Sequence, residues 1–533
     1  MKVLVTDPVS KEGLKILEKS AEVEVATNKS EEELQEIIGD YHALVVRSST
    51  QVTGELLEHA HNLQVVGRAG VGVDNIDVDK ATEKGIIVIN APEGNTISAA
   101  EHSLAMLASL SRNIPEAHHS VKKKHWERKK FMGVELNRKT LGVLGLGRIG
   151  SEVARKARGL DMQILAYDPY ISEERAKKLG AELVSKEELL RQADFISLHL
   201  PLVNSTYHII GEEELQLVKP EARIVNCARG GLIDEEALAR ALAEGRIAGA
   251  ALDVFEEEPL GDSPLLDLEN VILTPHLGAS TREAQVNVAI QVAEQVIKAL
   301  QQEPVVSAVN VPSLSQEVLR EIQPYLPLMR LLGNFYMQLF GGSIEEVEIH
   351  YRGEIAEKTT SPLTTSCLMG LLQFMLGEQV NYVNAPHLAK YRGIKVREVS
   401  SSTVESFANL ITLTVRSKDE ECTIAGTLLN RNDVRIVQIG DYRIEVVPSR
   451  YMVVSTYIDR PGVIGKVGTL LGDEDINIAS MQVGRKSIGG EAVMVLQVDN
   501  PVPEKVLQKL KQVDGILDTK LVELEQKDLQ SPV

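Results

Sequence analysis

Cysteine is nearly absent from this 533-residue sequence: Cys227, Cys367 and Cys422 are the only three. They lie far apart and fit no metal-ligand spacing, so neither a disulfide framework nor a metal site is expected. Reduced thiols in a cytoplasmic protein are the expectation. Aromatic residues make up only 4% of the chain, with one tryptophan, so the core must be mostly aliphatic. Positive charge is in deficit. A net charge of −19 argues against nucleic acid as a partner, because phosphate backbones need a basic surface. No apolar run reaches the roughly 18 residues of a membrane span. The opening Met1-Lys-Val-Leu-Val-Thr-Asp7 reads as a strand, not as the apolar segment of a signal peptide. No membrane partner is therefore expected. Low-complexity tracts and solenoid repeats are missing too.

What remains is ordinary globular composition, 43% hydrophobic and 25% charged, in a chain too long for one core. The first ~95 residues alternate short β-branched runs (Lys2–Asp7, Glu22–Ala26, Ala43–Arg47, Leu63–Val66, Ile86–Ile89) with helical stretches such as Glu31–Ile38. That alternation predicts a parallel α/β sheet. A second α/β block follows, with later strands at Asp194–His199, Ala222–Asn226, Ala248–Asp253 and Val271–Thr274. The helix Glu283–Leu300 has no place in that block and is expected to cross back to the first. After a linker at Gln302–Pro312 the pattern changes to long helices and alternating strands. The last ~80 residues read βαββαβ, a ferredoxin-like order. The expected division is 1–97 with 283–310, then 98–282, 313–450 and 451–533. The basic run Lys122–Lys130 reads as a solvated face, with Trp126 suggesting one anchored side.

The most informative stretch is Leu141-Gly-Val-Leu-Gly145-Leu-Gly147-Arg-Ile-Gly150. An apolar strand runs into G-x-G-x-x-G and then into a helical composition. A second strand, Gln163–Tyr167, ends at Asp168, 18 positions after Gly150. This is a complete dinucleotide-binding βαβ unit. Gly145 permits the tight turn, Gly147 lets a pyrophosphate approach the backbone, and Gly150 lets helix and sheet pack closely. Asp168 can accept from both ribose hydroxyls and would repel a 2′-phosphate, which selects NAD over NADP.

Three later strand ends carry reactive side chains, at the sheet edge where α/β proteins bind ligands. They are Cys227-Ala-Arg229-Gly-Gly231, Asp253-Val-Phe-Glu-Glu-Glu258-Pro259 and Pro275-His276-Leu-Gly278. Arg229 offers a planar fork for a carboxylate. A carboxylate from Glu258 beside His276 would fix the imidazole tautomer and favour its charged form. Together they predict catalysis by Arg229, Glu258 and His276: hydride transfer at a hydroxyl-bearing carbon next to a carboxylate. Near the C-terminus, Asp459-Arg-Pro461-Gly462 puts a glycine at a helix mouth, where an amino-acid carboxylate could sit. Asp459 could take its ammonium and Asn477 could offer an amide.

Over residues 1 to about 310, the glycine motif and the order Arg229, Glu258, Pro275-His276 resemble the D-isomer-specific 2-hydroxyacid dehydrogenases. Three further segments resemble the long-form D-3-phosphoglycerate dehydrogenases within that family: Val66–Asp77, Asn95–His102 and Trp126–Gly133. Tyr457-Ile-Asp459-Arg-Pro461-Gly462 with Asp475-Ile-Asn477 is similar to an ACT domain. The resemblance implies an α/β fold of two Rossmann-like or flavodoxin-like domains with parallel sheets, an α+β intervening domain and a ferredoxin-like ACT domain. It implies NAD as cofactor, 3-phosphoglycerate as substrate, serine as effector and a homotetramer. By the same resemblance Arg148, Ile149, Cys227, Ala228, Arg229, Asp253, His276, Gly278 and Ala279 line the cofactor, beside Gly145, Gly147, Gly150 and Asp168. Arg47, Gly70, Val71, Gly72 and Arg229 face the substrate, with Arg47 the candidate for its phosphate because few other cations lie near in sequence. Tyr457, Asp459 and Asn477 face the effector, and Arg435 and Arg443 fall where the family has a proposed second anion site. A glyoxylate or hydroxypyruvate reductase, which lacks the last ~220 residues, and a NAD-sensing corepressor, which needs a disordered tail, fit less well.

Overall fold

A computed structural model describes residues 1–301, 303, 305–311, 316–403, 406–418, 420–430 and 433–525. Positions 302, 304 and 312 of the expected linker, the expected boundary at 313, and the last eight positions, 526–533, lie outside the described residues. Four sheets organise the rest.

The first sheet holds β1 (Lys2–Val5), β2 (Glu22–Val25), β3 (Ala43–Val46), β4 (Val65–Arg68) and β5 (Ile87–Ile89) in the order β2-β1-β3-β4-β5. All its pairs are parallel, the flavodoxin-like arrangement. Polar caps fix the helices between the strands. Ser30 and Glu33, for example, form a reciprocal capping box on helix Glu31–Ile37. Helix Arg282–Leu300 lies on one face, where Val288, Val292 and Val296 share a core with Val3, Val5, Val45 and Val65. Gly67 permits that contact, since a Cβ there would stand 2.6 Å from Val296. The chain then bonds to the edge of this sheet, with the Asn310 carboxamide oxygen accepting from Val88 N at 2.9 Å.

The second sheet contains β6 (Thr140–Leu144), β7 (Gln163–Tyr167), β8 (Glu182–Leu183), β9 (Phe195–Leu198), β10 (Arg223–Asn226), β11 (Gly249–Leu252) and β12 (Val271–Leu273). Its order is β12-β11-β10-β9-β6-β7-β8, all parallel. This is the Rossmann order with one added strand, and the order reverses between β6 and β9, where a ligand crevice opens. The two-residue β8 is too short to read from sequence.

The third sheet has β13 (Glu346–Gly353), β14 (Lys395–Ser401), β15 (Asn409–Arg416), β16 (Glu421–Leu428), β17 (Val434–Ile439) and β18 (Tyr442–Val446). Its order is β14-β13-β15-β16-β17-β18, with only β13 and β14 parallel. Helices Tyr325–Leu339 and Ser361–Leu376 cross closely because Gly333 and Gly370 lack side chains; a Cβ on either would strike the other helix's backbone.

The fourth sheet is β19 (Tyr451–Ile458), β20 (Ile478–Arg485), β21 (Glu491–Val498) and β22 (Ile516–Glu523), antiparallel in the ferredoxin-like order β20-β21-β19-β22. Alternation gives it two buried faces. Val453, Tyr457, Met494 and Leu496 lie under helices Val463–Asp473 and Glu504–Lys511. Met452, Val454, Val493, Val495 and Val522 belong to the same core as Leu332, Phe335, Ile349 and Ile411 of the preceding unit. The last two sheets therefore share one hydrophobic core. Trp126 departs from expectation: it is 79% exposed, so none of the described residues anchors it.

Candidate active site

The glycine loop follows from contacts that only glycine allows. Gly145 has φ 93°, and a Cβ there would stand 2.6 Å from His199 O. A Cβ on Gly150 would stand 1.9 Å from Gly145 O. Gly147 is different, because nothing lies within 4 Å of its missing side chain. Helix Arg148–Arg158 starts there without a side-chain cap, leaving first-turn N–H groups for an anion. Arg148 is exposed, 3.8 Å from the Glu93 carboxylate, and Ile149 packs on the core below. Asp168 is tied to the loop, accepting from Leu146 N and Tyr170 N at 2.9 Å each. Each oxygen keeps a lone pair for a ribose hydroxyl. The open floor, the free helix start and the fixed carboxylate fit a dinucleotide. Behind the loop, desolvation pushes the partly buried His199 down to about 4, and its Nε2 bonds Ser197 Oγ at 2.8 Å.

The three reactive strand ends come together. Asn226 shapes the first loop, accepting from Ala228 N at 3.0 Å and donating to Arg229 O at 2.8 Å. Gly230 lies so close to Phe255 that a side chain would strike the Phe255 carbonyl, which locks this loop to the one bearing Glu258. Glu258 Oε1 accepts from Phe255 N at 3.1 Å, and Oε2 meets His276 Nδ1 at 2.7 Å. His276 is half exposed and has φ 55°, a left-handed conformation that a non-glycine residue holds only under constraint. Asp253 supplies that constraint from below: it is fully buried and accepts from Thr274 Oγ1 at 2.6 Å and from Leu277 N and Gly278 N at 2.7 Å. Burial raises the Asp253 carboxyl, but donation from His102, Thr274 and Leu277 outweighs it and holds the group below the usual carboxylate range. In this arrangement Asp253 pins the backbone that carries His276, with no surface of its own in the cleft. Ala228 and Ala279 belong to the same loops. Cys227 is driven up to about 12, chiefly by burial and then by the charge of Asp253, so it stays a thiol. His102, Cys227 and Asp253 bring their ligand-type atoms within 4.8 Å of one another, a grouping that sequence spacing could not reveal.

The opposite wall comes from the first sheet. Gly72 stands against Arg229, whose Nε is 3.6 Å from Asp74. The Val71 carbonyl accepts from Asn90 at 2.6 Å, which fixes the Gly70–Gly72 loop. Arg47 donates to Pro8 O at 3.3 Å. The premise that few cations lie near Arg47 does not hold. Arg68, at the end of β4, is packed so closely under Gly70 that a Cβ there would strike its guanidinium. Its Nε is buried without a partner. Burial, then repulsion from Arg229, lowers its pKa, and Arg47 adds to that repulsion. Asp74 and Asp7 offset these effects only in part, so this partly buried cation beside two others favours an anion. The signal lay in Val66-Gly-Arg68-Ala-Gly70, a strand end read only as part of a motif.

The C-terminal residues are not brought together within one chain. Asp459 lies just past the end of β19 that pairs with Glu491, and Asn477 just before the end of β20 that pairs with Val498. Seven residues of strand separate these ends, roughly 23 Å at the rise of a strand. Asp459 pairs with Arg485 at 3.1 Å, Asn477 donates to Asp499 at 2.7 Å, and the Tyr457 hydroxyl is buried without a partner. In the intervening sheet Arg435 is paired with Asp433 and Glu445, while Arg443 lines a cavity with Arg352.

Comparison with known proteins matches these parts in order. Residues 104–278 match the D-isomer specific 2-hydroxyacid dehydrogenase NAD binding domain. Residues 321–440 match the D-3-phosphoglycerate dehydrogenase intervening domain, and residues 451–515 the ACT domain. The chain is 50% identical over 525 residues to a D-3-phosphoglycerate dehydrogenase of Methanocaldococcus jannaschii, covering 98% of this chain and 100% of the relative. It is 49% identical over 524 residues to one from Synechocystis sp., covering 98% and 95%. The chain belongs to the D-3-phosphoglycerate dehydrogenase family. Among solved structures, a D-lactate dehydrogenase from Aquifex aeolicus complexed with NAD and lactic acid aligns with 31% identity. It has a TM-score of 0.52, over 59% of this chain and all of that one. As a family member the chain is an NAD-dependent oxidoreductase with a C-terminal ACT domain.

Proposed function

We propose that this protein oxidises 3-phospho-D-glycerate to 3-phosphohydroxypyruvate with NAD, the first step of L-serine biosynthesis. The observation that carries the reading is the 2.7 Å pair of His276 and Glu258, on a sheet edge whose Arg229 reaches the first sheet beside Arg68. NAD supplies the hydride acceptor, held by Gly145–Gly150 and Asp168. Arg229 binds the substrate carboxylate and orients C2. His276 takes the C2 hydroxyl proton on Nε2, because Glu258 occupies Nδ1 and stabilises the imidazolium that results. Arg47 and Arg68 balance the phosphate, whose two charges one arginine would leave partly exposed. Production of NADH with 3-phosphoglycerate, and none with lactate or glycolate, tests the reading.

Regulation by serine at the ACT domain belongs to the same proposal. The wide separation of Asp459 and Asn477 supports a site shared between two copies, where antiparallel pairing places one chain's Asp459 beside the other's Asn477. The division into 1–97 with 283–310, 98–282, 313–450 and 451–533, a homotetramer and a cytoplasmic location complete the reading. Exposed Trp126 supplies an apolar surface for the assembly. Among the described residues, no helix is long and apolar enough to cross a membrane.

A further inference from the structure

A cavity of about 500 Å³ lies at the seam between the first sheet's layer and the intervening unit, away from the dehydrogenase cleft. Thr82 and Asn310 line it from one side, and Thr364, Tyr382, His387 and Lys390 from the other. The seam is fixed. Asn381 donates to Gly85 O at 2.8 Å, where Gly85 has φ 75° and no room for a side chain. On the first layer's own side, Asn310 is held in place by donating to Thr82 Oγ1 at 2.9 Å and to Ile86 O at 2.8 Å. The cavity is thus a built joint between two folded layers.

Its chemistry is one-sided. No aspartate or glutamate is among its lining residues, in a chain of net charge −19. The Lys390 ammonium and the His387 ring share it, and among the described residues neither has a hydrogen bond or an ion pair. Tyr382 is kept protonated by burial, which pushes it up to about 12, so its hydroxyl remains a donor. The floor is apolar, made by Leu368, Val383 and Ile394. Cationic and hydroxyl donors over an aliphatic floor recognise an anionic head on a short hydrocarbon body.

We propose that this interdomain cavity binds a small organic carboxylate, its carboxyl group held by Lys390 and its carbon chain by Leu368, Val383 and Ile394. Binding there would stabilise the joint between the two layers, because only the docked arrangement forms the site. The inference does not rest on the assigned reaction, and its test needs no turnover.

Calorimetric titration of the full chain with isovalerate, in parallel with inorganic phosphate, tests it. Expected is millimolar isovalerate binding that weakens at least about tenfold in Lys390→Gln. Val396→Asp, which sets a carboxylate in the lining, should weaken it as well. Binding should persist in Arg229→Gln, which disables the other carboxylate site. No binding to the wild-type chain would overturn the proposal. So would loss in Arg229→Gln with retention in Lys390→Gln, and so would phosphate binding as tightly as isovalerate.

Discussion

Two glycines of one motif should fail in opposite ways when each is changed to alanine. At Gly150 the added Cβ would stand 1.9 Å from Gly145 O, 3.1 Å from Gly145 C and 3.3 Å from His199 Cβ. A carbon cannot approach a carbonyl oxygen closer than about 3 Å, so helix Arg148–Arg158 must move off the sheet by more than an ångström. Overpacking of this kind costs about 1–3 kcal/mol. At Gly147 the same methyl meets nothing within 4 Å, and its φ of −64° and ψ of −160° suit alanine. Alanine is a poorer N-cap than glycine by some tenths of a kcal/mol, but it restricts the unfolded chain by about 0.4–1 kcal/mol. Gly147→Ala should therefore leave stability within about 0.5 kcal/mol. It should nevertheless lose NADH, because the methyl occupies the path of the pyrophosphate to the helix N–H groups. Losing one charge-assisted hydrogen bond costs about 1.5–3 kcal/mol, roughly ten- to a hundredfold in affinity. Urea denaturation and NADH fluorescence titration on both variants separate the two effects. If Gly147→Ala binds NADH like the wild-type chain, or unfolds as readily as Gly150→Ala, the assignment of the loop is wrong.

His276→Ala should abolish most turnover while NADH affinity stays unchanged. Glu258→Gln should lower kcat more than it raises KM, and steady-state kinetics beside cofactor titration read both. Arg68→Gln and Arg47→Ala should each raise KM for 3-phosphoglycerate about tenfold or more, and for unphosphorylated glycerate far less; equal effects on both substrates would make these arginines structural. His199 gives a pH dependence. Its folded pKa of about 4 lies below the ordinary 6.5, so protonation favours the unfolded chain. Stability should therefore fall as pH drops from 6.5 towards 4, by about 3 kcal/mol in all from this group, and urea midpoints of His199→Gln should lack that component. Asp459→Ala and Asn477→Ala should each remove serine inhibition. Coexpression of the two should recover about half of the effector sites in mixed pairs, because one shared site then keeps both residues. Inhibition that never returns in the mixture would place the site within a single chain.

The local chemistry was legible in the sequence. The glycine spacing and Asp168 are short-range features, and the βαβ unit they imply forms because strand, turn and helix signals follow one another along the chain. Arg229, Glu258 and His276 each sit just past an apolar run, so their place at a strand end could be read, and their order resembled one family. Only the tertiary structure decided what meets across long separations. Arg68 looked like a motif residue until burial left its Nε unpartnered beside Arg229. Asp253 was expected beside the cofactor by resemblance, and only the fold shows its oxygens bonded to the backbone under His276. Residues 451 onward read as a separate module, yet Met452, Val454 and Val522 complete the core of the unit before it. A strand's alternation states that it has two faces; it does not state which layer covers the second. Asp459 and Asn477, 18 positions apart in sequence, lie at opposite ends of one sheet because β20 pairs with β21 and not with β19. Period and spacing act along the chain, whereas pairing order and burial are set by which surfaces exclude water together, and that depends on every element at once.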